Sequence, residues 1–168
     1  MKRLLILAAI LAVAGCASNN GSIPRGKAPE RLDKAMADYY QVIADANAQP
    51  YDLHLAIHSN ASPEASAGKN TGVEIYHFPT SERGKRFAEV LADTYRRVYR
   101  EPGNIRIIPT RSLAELRRTK APAVLIEVGY HDNREEAQWI RDNIDNIARA
   151  LAQSVVAYFG QEFVDPMA

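Results

Sequence analysis

An α/β domain with a largely parallel sheet flanked by helices is the fold class this chain predicts, on three observations. Short strand-like runs alternate with segments whose apolar residues recur every three or four positions, the order that builds parallel sheets from strand–helix units. Ala123 to Val128 is a continuous apolar run broken only by Glu127, which fits a strand covered on both faces. Hydrophobic residues make up 46% of the 168 positions, enough for one domain with a substantial core.

The first segment predicts no fold element. Met1 to Gly15 carries two positive charges, then Leu, Ile, Ala and Val, then small residues, the shape of a secretory signal. Its end, Leu-Ala-Val-Ala-Gly-Cys, resembles the lipobox of bacterial lipoproteins, which implies a signal peptide over residues 1–15 and lipidation of Cys16. The competing reading is an ordinary signal with an incidental cysteine. Acyl chains on Cys16 would anchor the protein to a membrane, at roughly 0.8 kcal/mol per buried CH₂. The domain would then sit in the cell envelope, on the periplasmic side where the host has an outer membrane. Residues 16–29, with Ser, Asn, Gly and two prolines, read as a lipidated flexible tether.

The domain itself spans 30–160, with a short tail over 161–168. Leu32, Met36, Tyr39, Ile43 and Ala46 stand at helical spacing, and Ala48-Gln49-Pro50 ends that helix. From Leu53 to His58 the chain alternates, with Leu53, Leu55 and Ile57 on one face and His54, Ala56 and His58 on the other. The small polar residues from Pro63 to Thr71 predict a mobile surface loop. Gly72 to Phe78 is a second strand, with Val73, Ile75 and His77 opposite Glu74 and Tyr76. Ser81 caps a helix whose stripe is Phe87, Val90, Leu91, Thr94, Tyr95 and Val98. Ile105 to Ile108 predicts a short strand, and Ser112 with Glu115 predicts a capping box for a helix over Leu113 to Thr119. The buried strand ends at Gly129, and Asn133 with Glu136 predicts another capping box. Ile144, Ile147, Leu151, Val155 and Tyr158 form the last helix, which Gly160 closes.

Charge and motifs narrow the function classes. Without Lys2 and Arg3, 19 basic residues face 20 acidic ones, a balance that gives no support for nucleic-acid binding. No Gly-x-Ser-x-Gly and no Gly-rich phosphate loop occurs, so neither a serine hydrolase nor a nucleotide site is indicated. All four histidines lie between positions 54 and 131, on or just after proposed strands. That clustering suggests a metal site; a catalytic zinc takes about three protein ligands and leaves a position for water. His54 and His58 share a strand face but stand roughly 13 Å apart at ~3.3 Å per residue, too far to share one metal. His58, beside the polar loop at the strand end, is the candidate ligand, and His54 is a hydrogen-bonded histidine beneath it. Glu127 lies at the C-terminal end of a buried strand, where open α/β sheets place their ligand sites. It is the candidate catalytic acid or base; the alternative is a strand-end carboxylate facing solvent.

Two segments resemble a known family. The run from Asp52 to Ala61, Asp-Leu-His-Leu-Ala-Ile-His-Ser-Asn-Ala, resembles the Ser-Ile-His-Ala-Asn segment of zinc-dependent N-acetylmuramoyl-L-alanine amidases of the type-3 family. Pro122 to Asn133, followed by Glu135, Glu136 and Trp139, is similar to that family's Pro-Ala-Val-Leu-Val-Glu-x-Gly-Phe-x-x-Asn segment. Leu113 to Thr119 is similar to the Leu-x-x-Leu-Arg-x-Thr stretch before it. The resemblance covers about Ala44 to Phe159 and implies an amidase-like fold, zinc as cofactor and peptidoglycan as substrate. It implies hydrolysis of the amide between N-acetylmuramic acid and L-alanine, with His58 as a zinc ligand and Glu127 as general base on the metal-bound water. The family's opening strand, its Asp-Pro-Gly-His-Gly-like loop and a following Glu ligand find no match, so the domain is expected to be truncated at its amino-terminal end. His77 and His131 are candidates to substitute. Three explanations are open: a rewired metal site, an inactive domain that binds cell-wall peptides or regulates a hydrolase, or loss of part of the ancestral domain.

Replacing Cys16 by Ser is expected to move the protein from the membrane fraction to the soluble fraction. Retention of the variant on membranes would show that no lipid on Cys16 holds it there.

Overall fold

The computed structural model describes residues 4–7 and 28–165, with side chains from residue 37 onward. Cys16 and most of the expected tether lie outside the described residues. The elements are β1 (Leu4–Leu7), α1 (Ala28–Ala48), β2 (Leu53–Asn60), β3 (Val73–His77), α2 (Glu82–Tyr95), β4 (Ile105–Pro109), α3 (Ala114–Arg118), β5 (Ala123–Tyr130), α4 (Arg134–Asp142) and α5 (Ile144–Tyr158). One sheet of order β1-β2-β5-β3-β4 organises them. The pairs β1–β2, β2–β5 and β3–β4 are parallel, and only β3 runs antiparallel to β5. The expected mixed α/β class with a largely parallel sheet is the class observed.

β1 departs from the sequence expectation. Leu4 to Leu7 fall in the segment expected to lie outside the fold, yet they pair in parallel with Leu53 to Ala56. An uncovered β2 edge would leave a row of unpaired N–H and C=O groups, and four apolar residues in extended conformation satisfy it.

Two apolar layers fix the sheet. On one face, Leu53, Leu55, Val73, Ile75, Val124, Ile126 and Val128 pack with Phe87, Leu91 and Tyr95 of α2 and Ile147, Leu151, Val155 and Tyr158 of α5. This is the main core, and it follows from period-2 alternation meeting two helical stripes. On the other face a smaller cluster joins Ala56, Ala123 and Leu125 to Leu116 of α3, with Tyr76, Phe78 and Leu113 at its margin. The polar residues of the site stand on this thinner side.

The helix ends follow the predicted caps in part. Ser81 Oγ accepts from Gly84 N, and Asn133 Oδ1 accepts from Glu135 N and Glu136 N. Gly160, at φ +67°, donates to Ala157 O and closes α5. The spacing of Ser112 and Glu115 predicts a capping box, but α3 begins at Ala114 with no side-chain cap. Glu115 turns inward instead and pairs with His54 at 2.7 Å, because a buried imidazole on β2 offers it a better partner than an exposed amide. Glu136 likewise does not return to its cap. It is fully buried and takes bonds from Tyr99 Oη, Gly72 N, Tyr130 N and Arg100 Nε, tying the residue before β3, the end of β5 and the segment after α2 to α4.

The segment from Pro63 to Thr71, expected to be mobile, carries a 3-10 turn over Glu64–Ser66 and is held by Asp132. The two Asp132 oxygens accept from Ser62 N at 3.0 Å and Gly68 N at 2.8 Å. Burial works against that carboxylate, but the amide donors outweigh it and hold its pKa below the usual value.

Gly129 is what lets Glu136 approach. Its φ is +150°, and a Cβ there would stand 2.8 Å from Glu136 Oε2. Gly129→Ala is therefore expected to lower stability by about 1–3 kcal/mol in urea unfolding, from backbone strain and displacement of a buried carboxylate. A loss of less than about 0.5 kcal/mol, within the range of ordinary surface substitutions, would show that the contact is easily relieved.

Candidate active site

The parallel register of β2 and β5 sets His58 opposite Glu127. The antiparallel register of β5 and β3 sets Glu127 opposite Glu74, and β3 with β4 sets Glu74 opposite Arg106. His58, Glu127, Glu74 and Arg106 thus form one row across four neighbouring strands. Each step is an inter-strand spacing of about 4.8 Å, on the face opposite the main core. The row gathers four ionisable side chains on one face of the sheet.

A bulge next to the row completes it. The pairing of β2 with β5 slips between His58 and Asn60, so that three residues after Glu127 pair with two after His58. Such an insertion re-aims the following side chain. Strict alternation would turn Tyr130 to the face opposite Glu127; after the slip, its hydroxyl donates to Glu74 Oε1 at 3.4 Å. Asn60 Nδ2 donates to Glu74 Oε2 at 3.0 Å, and Tyr76 Oη and Arg106 Nη2 also bond this carboxylate. Glu74, 8% exposed, is held by four donors. Burial, followed by the charge on Glu74, raises the Tyr76 and Tyr130 hydroxyls above the ordinary value, so both remain protonated donors at neutral pH.

His58 and Glu127 are treated differently. His58 Nε2 and Glu127 Oε2 are buried with no hydrogen-bond partner. Burial lowers the His58 pKa, and His54 adds to this while Glu115 opposes it. Glu127 is pushed up to about 7, first by burial and then by the Glu74 carboxylate. A polar atom left without a partner in the interior costs about 1–3 kcal/mol, and here two such atoms belong to residues paired across adjacent strands.

The other histidines separate from it. His54 is the buried, hydrogen-bonded residue the sequence predicts, joined to Glu115. His77 points to the main-core side of β3 and its Nδ1 bonds Phe78 O. His131 follows β5, with Nδ1 at 3.1 Å from both Ser59 Oγ and Ser59 O. Neither is brought to His58 as a replacement ligand: among the described residues no three His, Cys, Asp or Glu side chains are grouped to hold a metal. His58 and Glu127 fit a zinc ligand and a neighbouring base, but the described residues do not fit a complete zinc site. Two surface grooves, one bordered by Asp52, Arg83 and Tyr158 and one by Asn47, Tyr51 and Lys120, contain none of the row.

Sequence reasoning misses Glu74, Arg106, Asn60 and Tyr130. Glu74 and Tyr76 are legible as the polar side of an alternating strand, and a glycine within a strand signals a bulge. Their convergence needs the strand order, which no local pattern carries.

Comparison with known proteins identifies the family. The family model described as N-acetylmuramoyl-L-alanine amidase matches residues 28–157. The chain belongs to this family, the type-3 amidases. It is 29% identical over 112 residues to the probable cell wall amidase LytH of Staphylococcus aureus, an alignment covering 64% of this chain and 35% of that protein. The chain thus spans about a third of the length of the curated relatives it matches. The catalytic domain of CwlV, an N-acetylmuramoyl-L-alanine amidase from Bacillus (Paenibacillus) polymyxa var. colistinus, superposes with TM-score 0.63 at 26% identity, covering 74% of this chain and 66% of that one. The N-acetylmuramoyl-L-alanine amidase from Clostridium difficile 630 superposes with TM-score 0.63 at 25% identity, covering 74% and 67%.

The raised Glu127 value has a signed consequence for the metal-free protein. Folding lifts this carboxyl from an ordinary 4.5 to about 7, so the folded state binds the proton more tightly than the unfolded state. Its contribution is fully present below the ordinary value and is lost as pH rises through 7. Glu127→Gln, which mimics the protonated form, is expected to show a higher urea midpoint than the parent at pH 8 and to converge with it near pH 4. Parallel curves over that interval would mean that Glu127 titrates as an ordinary carboxylate.

Proposed function

We propose that the domain acts on peptidoglycan at the amide joining N-acetylmuramic acid to L-alanine, with Glu127 as the proton-transferring group and His58 as a zinc ligand. The observation that carries this is the orphaned pair. Two buried polar atoms without partners, one imidazole nitrogen and one carboxylate oxygen, belong to residues paired in register near the C-terminal ends of adjacent parallel strands, where such sheets put their ligand sites. A carboxyl titrating about 7 is suited to accept a proton during attack on an amide and to return it to the leaving nitrogen. Family membership supplies the substrate class. The protein is read as an envelope lipoprotein held to a membrane through Cys16, which places the domain where its polymer is.

A second reading rests on one specific observation. The described residues supply one candidate ligand, whereas a catalytic zinc takes about three. On that reading the site binds cell-wall peptides without cleaving them, or regulates another hydrolase.

Zinc content and peptide release separate the two readings. A hydrolase is expected to carry stoichiometric zinc that His58→Ala removes, and to release stem peptide from purified peptidoglycan. Glu127→Gln should then slow that release at least 100-fold while leaving the zinc in place. Release unaffected by Glu127→Gln would remove Glu127 from the mechanism. A well-folded, zinc-free protein that retains peptidoglycan without cleaving it would establish the binding reading instead.

A further inference from the structure

The outer half of the polar row points to a second contact with the substrate. We infer that Arg106 receives the free carboxylate of the second residue of the peptidoglycan stem peptide, so that the row binds the peptide across the strands while its first amide lies at His58 and Glu127. This rests on the reading of the domain as acting on peptidoglycan.

Three observations carry it. Arg106 and Glu127 share a face and a row, separated only by Glu74. Two inter-strand spacings place their backbones about 10 Å apart. An extended peptide advances about 3.3–3.6 Å per residue, so a carboxylate one residue beyond L-alanine falls within reach of the long arginine side chain. Second, the guanidinium is positioned yet open. Its side chain is 56% exposed, while the Glu74 side chain that holds it is 10% exposed and is itself bonded by Asn60, Tyr76 and Tyr130. Contacts with Glu74 and the Tyr130 hydroxyl engage only part of a planar group that carries five N–H donors, leaving a fork suited to a second carboxylate. Third, Arg106 is the one arginine or lysine in a row whose other members are two carboxyl side chains and a histidine. The guanidinium at the Arg106 end of the row draws an anionic substrate group, which sets the direction in which the peptide lies.

The test uses two muramyl tripeptides with amidated carboxyl termini, MurNAc-L-Ala-D-isoglutamyl-L-lysine amide and its D-isoglutaminyl counterpart. They differ only in whether the second residue presents a carboxylate or a carboxamide. Calorimetry on the full chain is expected to show about tenfold tighter binding of the acid. Arg106→Gln should reduce that preference to less than twofold by weakening the acid alone, and Arg106→Lys should restore part of it. Equal affinity of the parent protein for both peptides overturns the assignment without any variant, and so does an Arg106→Gln protein that loses both peptides equally. If neither peptide binds the parent protein, the peptidoglycan reading fails and this inference with it.

Discussion

The register between β2 and β5 is the constraint on which the site depends. Side chains alternate with a period of two, so a slip of one residue would send Glu127 into the main core and bring Ile126 to the site face. What prevents the slip is packing on the other side of the sheet. Leu53, Leu55, Val124 and Ile126 are all at most 1% exposed and interlock with Phe87 and Leu91 of α2. The chemistry on one face is thus specified by apolar complementarity on the other. The same logic extends outward, because Ile75 of β3 pairs with Ile126 and Ile107 of β4 pairs with Ile75. Each apolar pair in one row fixes a polar pair in the next.

The buried charged groups show which polar sites are structural and which are left open. Glu136 is fully buried yet satisfied by Tyr99, Arg100 and two backbone amides, and Glu115 is satisfied by His54. Both act as ties between elements, as buried carboxylates do when every lone pair finds a donor. Glu74 is equally well bonded and holds Arg106 in place. At His58 and Glu127 the network stops short on two residues paired in register, with one buried polar atom left without a partner on each. A ligand that bonded both atoms would recover the free energy so forgone. A site prepared for binding rather than for stability has this character.

The amino-terminal edge bears on both fold and function. β1 covers β2 with residues whose composition is that of a signal segment. Cleavage before Cys16 would remove this strand and open the β2 edge from Leu53 to Ala56, next to the strand end that carries His58. The family match begins at residue 28, beyond this strand. Membership of the amidase family therefore describes the scaffold more firmly than it describes the metal chemistry.

Much of the scaffold is legible in local patterns: the apolar run around Glu127, the alternation through His58, the Ser81 and Asn133 caps and the Gly160 stop all appear as their periodicity and side-chain chemistry require. These depend on neighbours within a few residues, which the sequence states directly. The capping box at Ser112 and Glu115 fails because Glu115 finds His54, 61 positions away in the chain. Tyr130 joins the site only through a bulge whose effect depends on the partner strand, and Arg106 joins it only because β4 lies beside β3. The sequence by itself determined the class of fold, the family, and His58 and Glu127 as the candidate pair. Strand order, and with it the row from His58 to Arg106, was decided by tertiary packing, since contacts between strands far apart in the chain arise from the burial of whole faces and not from any local spacing.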